Sequence, residues 1–283
     1  MNLTSPKIIK ELLNCHGFNF SKSLGQNFLI NPEIPEKIVS AARISEQSVV
    51  LEIGPGIGCL TSVLAQRAKR VIAVEIDSRL IPVLTQTLAS YKNVDVICAD
   101  ILKTDIEALS RKFGSLTVCA NLPYYITTPI LMYLLESKAN ITSITIMVQK
   151  EVAQRLCANA GCKEYGAISA AVQYYTDPEI MFSVAKGNFI PAPKIESAVV
   201  NLKCRQKPNV QDESFLFSII RAGFSQRRKT LANAISSKLT ISKTVIEKNL
   251  ASLGFCEDAR AERLTIEDFC HLADRLLKKE WEL

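Results

Sequence analysis

The sequence predicts an α/β domain built on a mostly parallel sheet, followed by a small all-helical domain. Three observations carry that reading. Short apolar, β-branched runs alternate with helix-patterned stretches up to about residue 204. A glycine-rich turn, "GPGIG" at 54–58, follows the first strong run. Beyond the polar, turn-rich segment "CRQKPNVQDES" only helical periods remain. Continuous apolar strands alternating with helices belong to a parallel sheet covered on both faces, the doubly wound arrangement.

Taken in order, "MNLTSPKIIKELLNCHGF" reads as a short amphipathic helix, with Pro6 near its start and Gly17 near its stop. The strands are "SVVLEI" (48–53), "RVIAVEI" (70–76), "VDVICA" (94–99), "LTVCA" (116–120), "SITIMVQ" (143–149), "PEIMFSV" (178–184) and "SAVVNLK" (197–203). Between them lie helical stretches such as "LTSVLAQRA" and "PILMYLLESK". The first domain is expected over 1–206 and the helical one over 207–283. The second is read from "FLFSIIRAGF", "KTLANAISSKL", "SKTVIEKNLASLGF" and "TIEDFCHLADRLLKK".

Composition bounds the function. A chain of 283 residues, 48% hydrophobic and 22% charged, is long enough to bury a sizeable core and has the make-up of a soluble globular protein. No stretch approaches the roughly 18 apolar residues of a membrane span, and the N-terminus lacks the apolar core of a signal peptide. None of the nine cysteines form a C-x-x-C pair, and His16 and His271 stand far from paired thiols, so no metal is expected. Cys98 and Cys119 fall inside apolar runs, as small core residues do, which points to a reducing, cytoplasmic compartment. A formal charge of +6 is compatible with an anionic partner without specifying one. With no coiled-coil pattern or exposed apolar strip, a monomer is expected.

The glycines of "VVLEIGPGIGCLT" let a strand turn tightly into a helix and let the backbone approach a ligand. They stand at alternate positions, Gly54, Gly56 and Gly58, with Cys59 where a dinucleotide fingerprint would place its last glycine. That argues against a pyrophosphate and for a phosphate-free ligand lying beside the loop, with Glu52 in the strand. Glu75 ends the next strand, about 20 residues on, where a carboxylate accepts from ribose hydroxyls; Asp77 follows closely. Asp100 ends the third and could accept from an adenine amine. Together these acids and the loop describe a nucleoside site without phosphate clamps, which S-adenosylmethionine fits.

The fourth strand ends in Asn121-Leu122-Pro123-Tyr124. In an open α/β sheet, ligands bind beyond the carboxyl ends of the strands, so this tetrapeptide should face the same crevice. The exocyclic amine of adenine is a poor nucleophile because its lone pair is delocalised into the ring. Two acceptors holding its hydrogens, the Asn121 side-chain oxygen and the Leu122 carbonyl, would favour the pyramidal amine. Pro123 fixes the backbone, and Tyr124 offers a flat face for the base. No charged general base is required, since a sulfonium cofactor supplies the reactivity and the protein supplies orientation.

With these residues in view, the chain closely resembles the bacterial small-subunit ribosomal RNA adenine dimethyltransferases of the KsgA type, and more distantly the Erm-type resistance methyltransferases. Matching stretches are "SLGQNFLI" (23–30), the glycine motif, "NLPY", "VQKEVAQRL" (148–156), "EYGAISAAVQYY" (164–175), "FIPAPKIESAVVNL" (189–202) and "FSQRRKTLANAI" (224–235). The resemblance implies a Rossmann-like class I S-adenosylmethionine-dependent methyltransferase fold with a small C-terminal all-α domain. It implies cofactor contacts from Asn27, Leu29, Gly54, Glu75, Asp100 and Asn121, and a Phe189 that helps clamp the flipped adenine opposite Tyr124. It also implies the product, N6,N6-dimethyladenosine at two adjacent adenines in a hairpin loop near the 3′ end of 16S RNA, made on assembling 30S subunits. Tyr125 departs from the pattern, since some members carry Asn or His there.

Arg221, Arg227, Arg228 and Lys229 cluster in "RAGFSQRRKT" and, with Lys194, are candidate phosphate contacts; a solvated helix end is the alternative reading. Lys22, Lys150 and Arg155 could extend the patch. The target bases would have to leave their stack to reach Asn121. Two other functions stay open on the sequence: methylation of another adenine or of a glutamine, and a ribosome-assembly or RNA-binding factor with little turnover.

Overall fold

The computed structural model describes residues 1–17, 27–226 and 228–278. Helix α1 (Pro6–Cys15) opens on its proline and lays Ile9, Leu12 and Leu13 into the core. It stops where Gly17 takes a φ of +62°. Strand β1 (Phe28–Leu29) and α2 (Glu33–Ala41) follow.

The sheet is built from β2 (Val49–Ile53), β3 (Arg70–Glu75), β4 (Val94–Cys98), β5 (Leu116–Asn121), β6 (Ile141–Gln149), β7 (Thr176–Val184) and β9 (Ser197–Cys204). Its order is β4-β3-β2-β5-β6-β9-β7. The first five strands run parallel, and β9 runs antiparallel to β6. All five residues of β2 are buried, as a strand covered on both faces requires. Fully burying a side chain such as Val50 or Leu51 is worth about 1.5–3 kcal/mol. All seven strands expected from the sequence form, with ends that differ by no more than two residues.

Helices α3 (Cys59–Arg67), α4 (Ile81–Thr87), α5 (Ile106–Phe113) and α6 (Thr127–Glu136) join the parallel strands, and α7 (Lys150–Leu156) follows β6. From β2 the chain steps outward through β3 to β4, then returns to place β5 on the other side of β2. The switch point of this sheet therefore lies between β2 and β5, where ligands collect in open α/β sheets.

One pairing escaped the sequence: β1 lies antiparallel to β8 (Phe189–Ile190), with Leu29 opposite Phe189. Strands of two residues have no period to detect.

The chain divides into two compact units, 1–153 with 179–204, and 154–178 with 205–283. The second contains α8 (Ala167–Tyr175), α9 (Glu213–Phe224), α10 (Leu231–Ser236), α11 (Lys243–Ser252) and α12 (Ile266–Leu277). The sequence places the division at 206/207, yet α8 packs with this helical unit. The Tyr174 ring meets Phe217 edge-on at 5.4 Å, Tyr175 stacks on Phe217 at 5.8 Å, and the Tyr175 hydroxyl donates to Glu213 Oε1 at 2.6 Å. Among the described residues from 205 onward there is no strand. Among the described residues no helix is long and apolar enough to cross a membrane.

Candidate active site

The site grows from the carboxyl ends of β2, β3, β4 and β5. After β2 the backbone turns sharply: Gly54, Gly56 and Gly58 take φ of +68°, +61° and +87°, a region that side chains other than glycine rarely enter. The loop is held on both sides. The Gly54 amide donates to Val74 O at 2.9 Å, and the Thr87 hydroxyl donates to Ile57 O at 3.0 Å. A Cβ on Gly56 would stand 3.2 Å from the Phe28 ring. The close approach that the glycines permit is thus used.

Glu75 closes β3 and is 4% exposed. Its Oε2 accepts the Gly56 amide at 3.1 Å and its Oε1 accepts the Asp77 amide at 2.9 Å. Burial pushes its pKa up, and these amide bonds oppose the rise. Asp100, just beyond β4, accepts the Leu102 amide at 3.0 Å and is partly buried.

Asn121 is the last residue of β5, opposite Met147 of β6. Its Nδ2 donates to Asn27 O at 3.4 Å, and no described donor meets its Oδ1. The Leu122 amide donates to Met147 O at 3.3 Å, so the strand pairing continues into the tetrapeptide. Pro123 then turns the chain into a single 3₁₀ turn, Tyr124–Ile126. The Tyr124 phenol lies 2.8 Å from Ser197 Oγ at the start of β9. Burial raises the Tyr124 pKa, so the phenol is neutral and available as a hydrogen-bond donor.

Asn27, Leu29, Gly54, Glu75, Asp100, Asn121, Leu122, Pro123 and Tyr124 all line one cavity. Elements far apart in sequence thereby converge on one cavity. Phe189 is not among the lining residues. It is 3% exposed, sits in the core cluster, and pairs through its backbone with Leu29. Residues 23–26 of "SLGQNFLI", together with Lys22, lie outside the described residues, as does Arg227. Lys194, Arg221, Arg228 and Lys229 are exposed. Lys150 is engaged by Glu196 at 2.8 Å.

Among the lining residues to which the sequence assigned no role, three stand out. Phe28 packs against Gly56, Ile76 stands 53% exposed beside Glu75, and Tyr125 follows Tyr124 at the cavity edge. The signal for Ile76 was an apolar residue at a strand end, directly after Glu75. Glu52 has a sharper character than the sequence shows. It is 1% exposed, lines the cavity, and its Oε2 has no hydrogen-bond partner among the described residues. Burial first, and the charge of Glu75 second, push its pKa up to about 8; Thr61 lies close enough to temper the rise, without completing a hydrogen bond from its hydroxyl.

A mixed seven-stranded sheet with flanking helices, opening its site at the parallel switch point, is the fold of the class I methyltransferases. The chain belongs to the ribosomal RNA adenine dimethylase family, whose model matches residues 17–278. It is 48% identical to the ribosomal RNA small subunit methyltransferase A of Alkaliphilus oremlandii, over 98% of this chain and 99% of that one. Among solved structures it resembles a dimethyladenosine transferase from Plasmodium falciparum, with a TM-score of 0.74 and 29% identity over 86% of this chain and 95% of that one. It also resembles the 23S rRNA methyltransferase ErmE, with a TM-score of 0.70 and 26% identity over 88% and 99%. The chain is therefore a ribosomal RNA-modifying methyltransferase of the KsgA type, related to the Erm enzymes.

Proposed function

We propose that this protein transfers methyl groups from S-adenosylmethionine to the N6 amines of two adjacent adenines in the 3′-terminal hairpin loop of 16S RNA, on assembling small subunits. The observation that carries the reading is the convergence of Asn121, Glu75, Asp100 and the glycine loop on one cavity.

The residues present fit the cofactor. Gly54 and Gly56, both at positive φ, line the cavity with bare backbone, and a Cβ on Gly54 would enter open space. Among the described residues the buried Glu52 Oε2 has no partner, and no phosphate-binding cation lines the cavity. Glu75, already oriented by two amides, would take the ribose hydroxyls on its remaining lone pairs. Asp100 would accept from the adenine amine. The bound cofactor supplies an electrophilic methyl group on a sulfonium.

The protein's own part is to hold the target amine. Asn121 Nδ2 is committed to the Asn27 carbonyl, which fixes the amide plane and leaves Oδ1 as an acceptor. Oδ1 and the Leu122 carbonyl would take the two amine hydrogens, localise the nitrogen lone pair and aim it into the cavity. Tyr124, tied to Ser197, gives the base a ring fixed in orientation. After the first transfer the methylated nitrogen gives up one proton to solvent and becomes a neutral secondary amine, whose remaining hydrogen one of the same acceptors holds for the second. Exposed Lys194, Arg228 and Lys229 are suited to phosphate contacts that position the RNA without reading it.

Transfer of labelled methyl groups to small subunits from cells lacking their own enzyme, with the modified nucleotides mapped, tests this. Dimethyladenosine at two neighbouring positions near the 3′ end is expected. Tight cofactor binding with no transfer to those particles would overturn the substrate. Asn121→Ala should bind particles normally and transfer nothing.

A further inference from the structure

The second tyrosine of "NLPYY" has no part in the chemistry above, and its surroundings differ sharply from those of the first. Tyr124 is partly buried and its hydroxyl is tied to Ser197. Tyr125 is 58% exposed, with no hydrogen bond or ring contact among the described residues. Among the described residues it is the one exposed aromatic side chain. A phenol ring left in water forgoes the burial that normally retains such a residue. Tyr125 nonetheless lines the edge of the cavity that holds Asn121.

The turn dictates the geometry. Tyr124 and Tyr125 occupy consecutive places in a 3₁₀ turn, where successive side chains leave the axis roughly 120° apart. The two rings therefore cannot serve one base. With Tyr124 held toward Ser197, the Tyr125 ring projects from the mouth of the cavity.

From this we infer that Tyr125 is a stacking platform for the nucleotide next to the adenine in the pocket. The inference rests on the RNA adenine reading above and extends it. Drawing one adenine out of a loop removes a stacking partner from its neighbour. A flat face at the cavity mouth replaces that partner, since any base has a π-face to offer. Where two adjacent adenines are both substrates, each is the other's neighbour, so Tyr125 serves both events in turn. It is a positioning residue, because it touches substrate RNA away from the reacting amine.

The test compares Tyr125→Phe, Tyr125→Leu and Tyr125→Ala with the wild type on unmethylated small subunits, with each adenine quantified separately. Cofactor affinity is measured in parallel. Phe keeps a flat ring and should stay within about twofold of wild type. Leu and Ala should raise KM for the particle about tenfold, the scale of one base–aromatic stack, with cofactor affinity unchanged. Leu separates stacking from mere apolarity. A fluorescent adenine analogue beside the target should be quenched by the wild type and the Phe variant and not by Ala. Wild-type KM in the Ala variant would overturn the inference alone. A wild-type enzyme that transfers nothing to ribosomal RNA would overturn the functional reading and the inference with it.

Discussion

Glu75 Oε2 accepts the backbone N–H of Gly56 at 3.1 Å, tying the acid at the end of β3 to the loop that follows β2. The acid and the loop are therefore one structure. Glu75→Gln would set an NH₂ group against one of two amide donors and remove the charge offered to ribose. Hydrogen bonds to charged groups are worth about 1.5–3 kcal/mol, so cofactor affinity should fall about 10- to 100-fold. Calorimetric titration would show it; unchanged affinity would remove Glu75 from the site.

Glu52 makes stability depend on pH. Its folded pKa of about 8 stands above the reference value of 4.5, so the folded state holds the proton more tightly. Its contribution is then fully present below about pH 4.5, declines as pH rises toward 8, and is flat above that. Glu52→Gln removes this slope. Relative to wild type, the variant should gain a few kcal/mol between pH 5 and pH 9. Denaturant midpoints of both proteins across that range decide it, and a constant difference would count against a buried neutral acid.

Ser197 orients Tyr124. Ser197→Ala leaves the phenol without its partner at 2.8 Å. One neutral hydrogen bond is worth about 0.5–1.5 kcal/mol, so transfer should slow roughly 2- to 10-fold with cofactor affinity intact. Tyr124→Phe should behave alike, and the double variant should be no slower than either.

Gly58 stands just before α3 at a φ of +87°, and a Cβ there would meet Leu88 Cδ2 at 3.0 Å. Gly58→Ala combines backbone strain with a side-chain contact, at a cost of about 1–3 kcal/mol. Tm should drop by several degrees. An unchanged Tm would mean that the loop can relax.

Exposed Arg228 and Lys229 make a different kind of prediction. If each meets a phosphate, replacement by alanine should weaken particle binding without changing which adenines are modified. The slope of log K against log salt should lose about 0.7–0.9 per residue. An unchanged slope would mark them as solvated charges.

Much of the fold was legible in the sequence because the parallel strands are buried on both faces. A strand such as "VVLEI" must then be apolar throughout, and the run declares itself. The candidate site was legible for a related reason: open α/β sheets place ligands at strand ends, so Glu75, Asp100 and Asn121, which line one cavity, could be picked out by position. The pairing of Phe28 with Ile190 and of Leu29 with Phe189 was not legible, since two-residue strands carry no pattern.

By itself, then, the sequence determined the strands, the glycine turn and the chemical groups at the strand ends, all of which depend on local pattern. Only the tertiary structure decided what those groups meet. It gave Glu75 two amides, left Glu52 buried with no partner for Oε2 among the described residues, held Tyr124 with Ser197 and left Tyr125 in solvent. It also drew α8 into the helical unit through the rings of Tyr174, Tyr175 and Phe217. Burial and hydrogen-bond partnership depend on residues distant in the chain, and no local period records them.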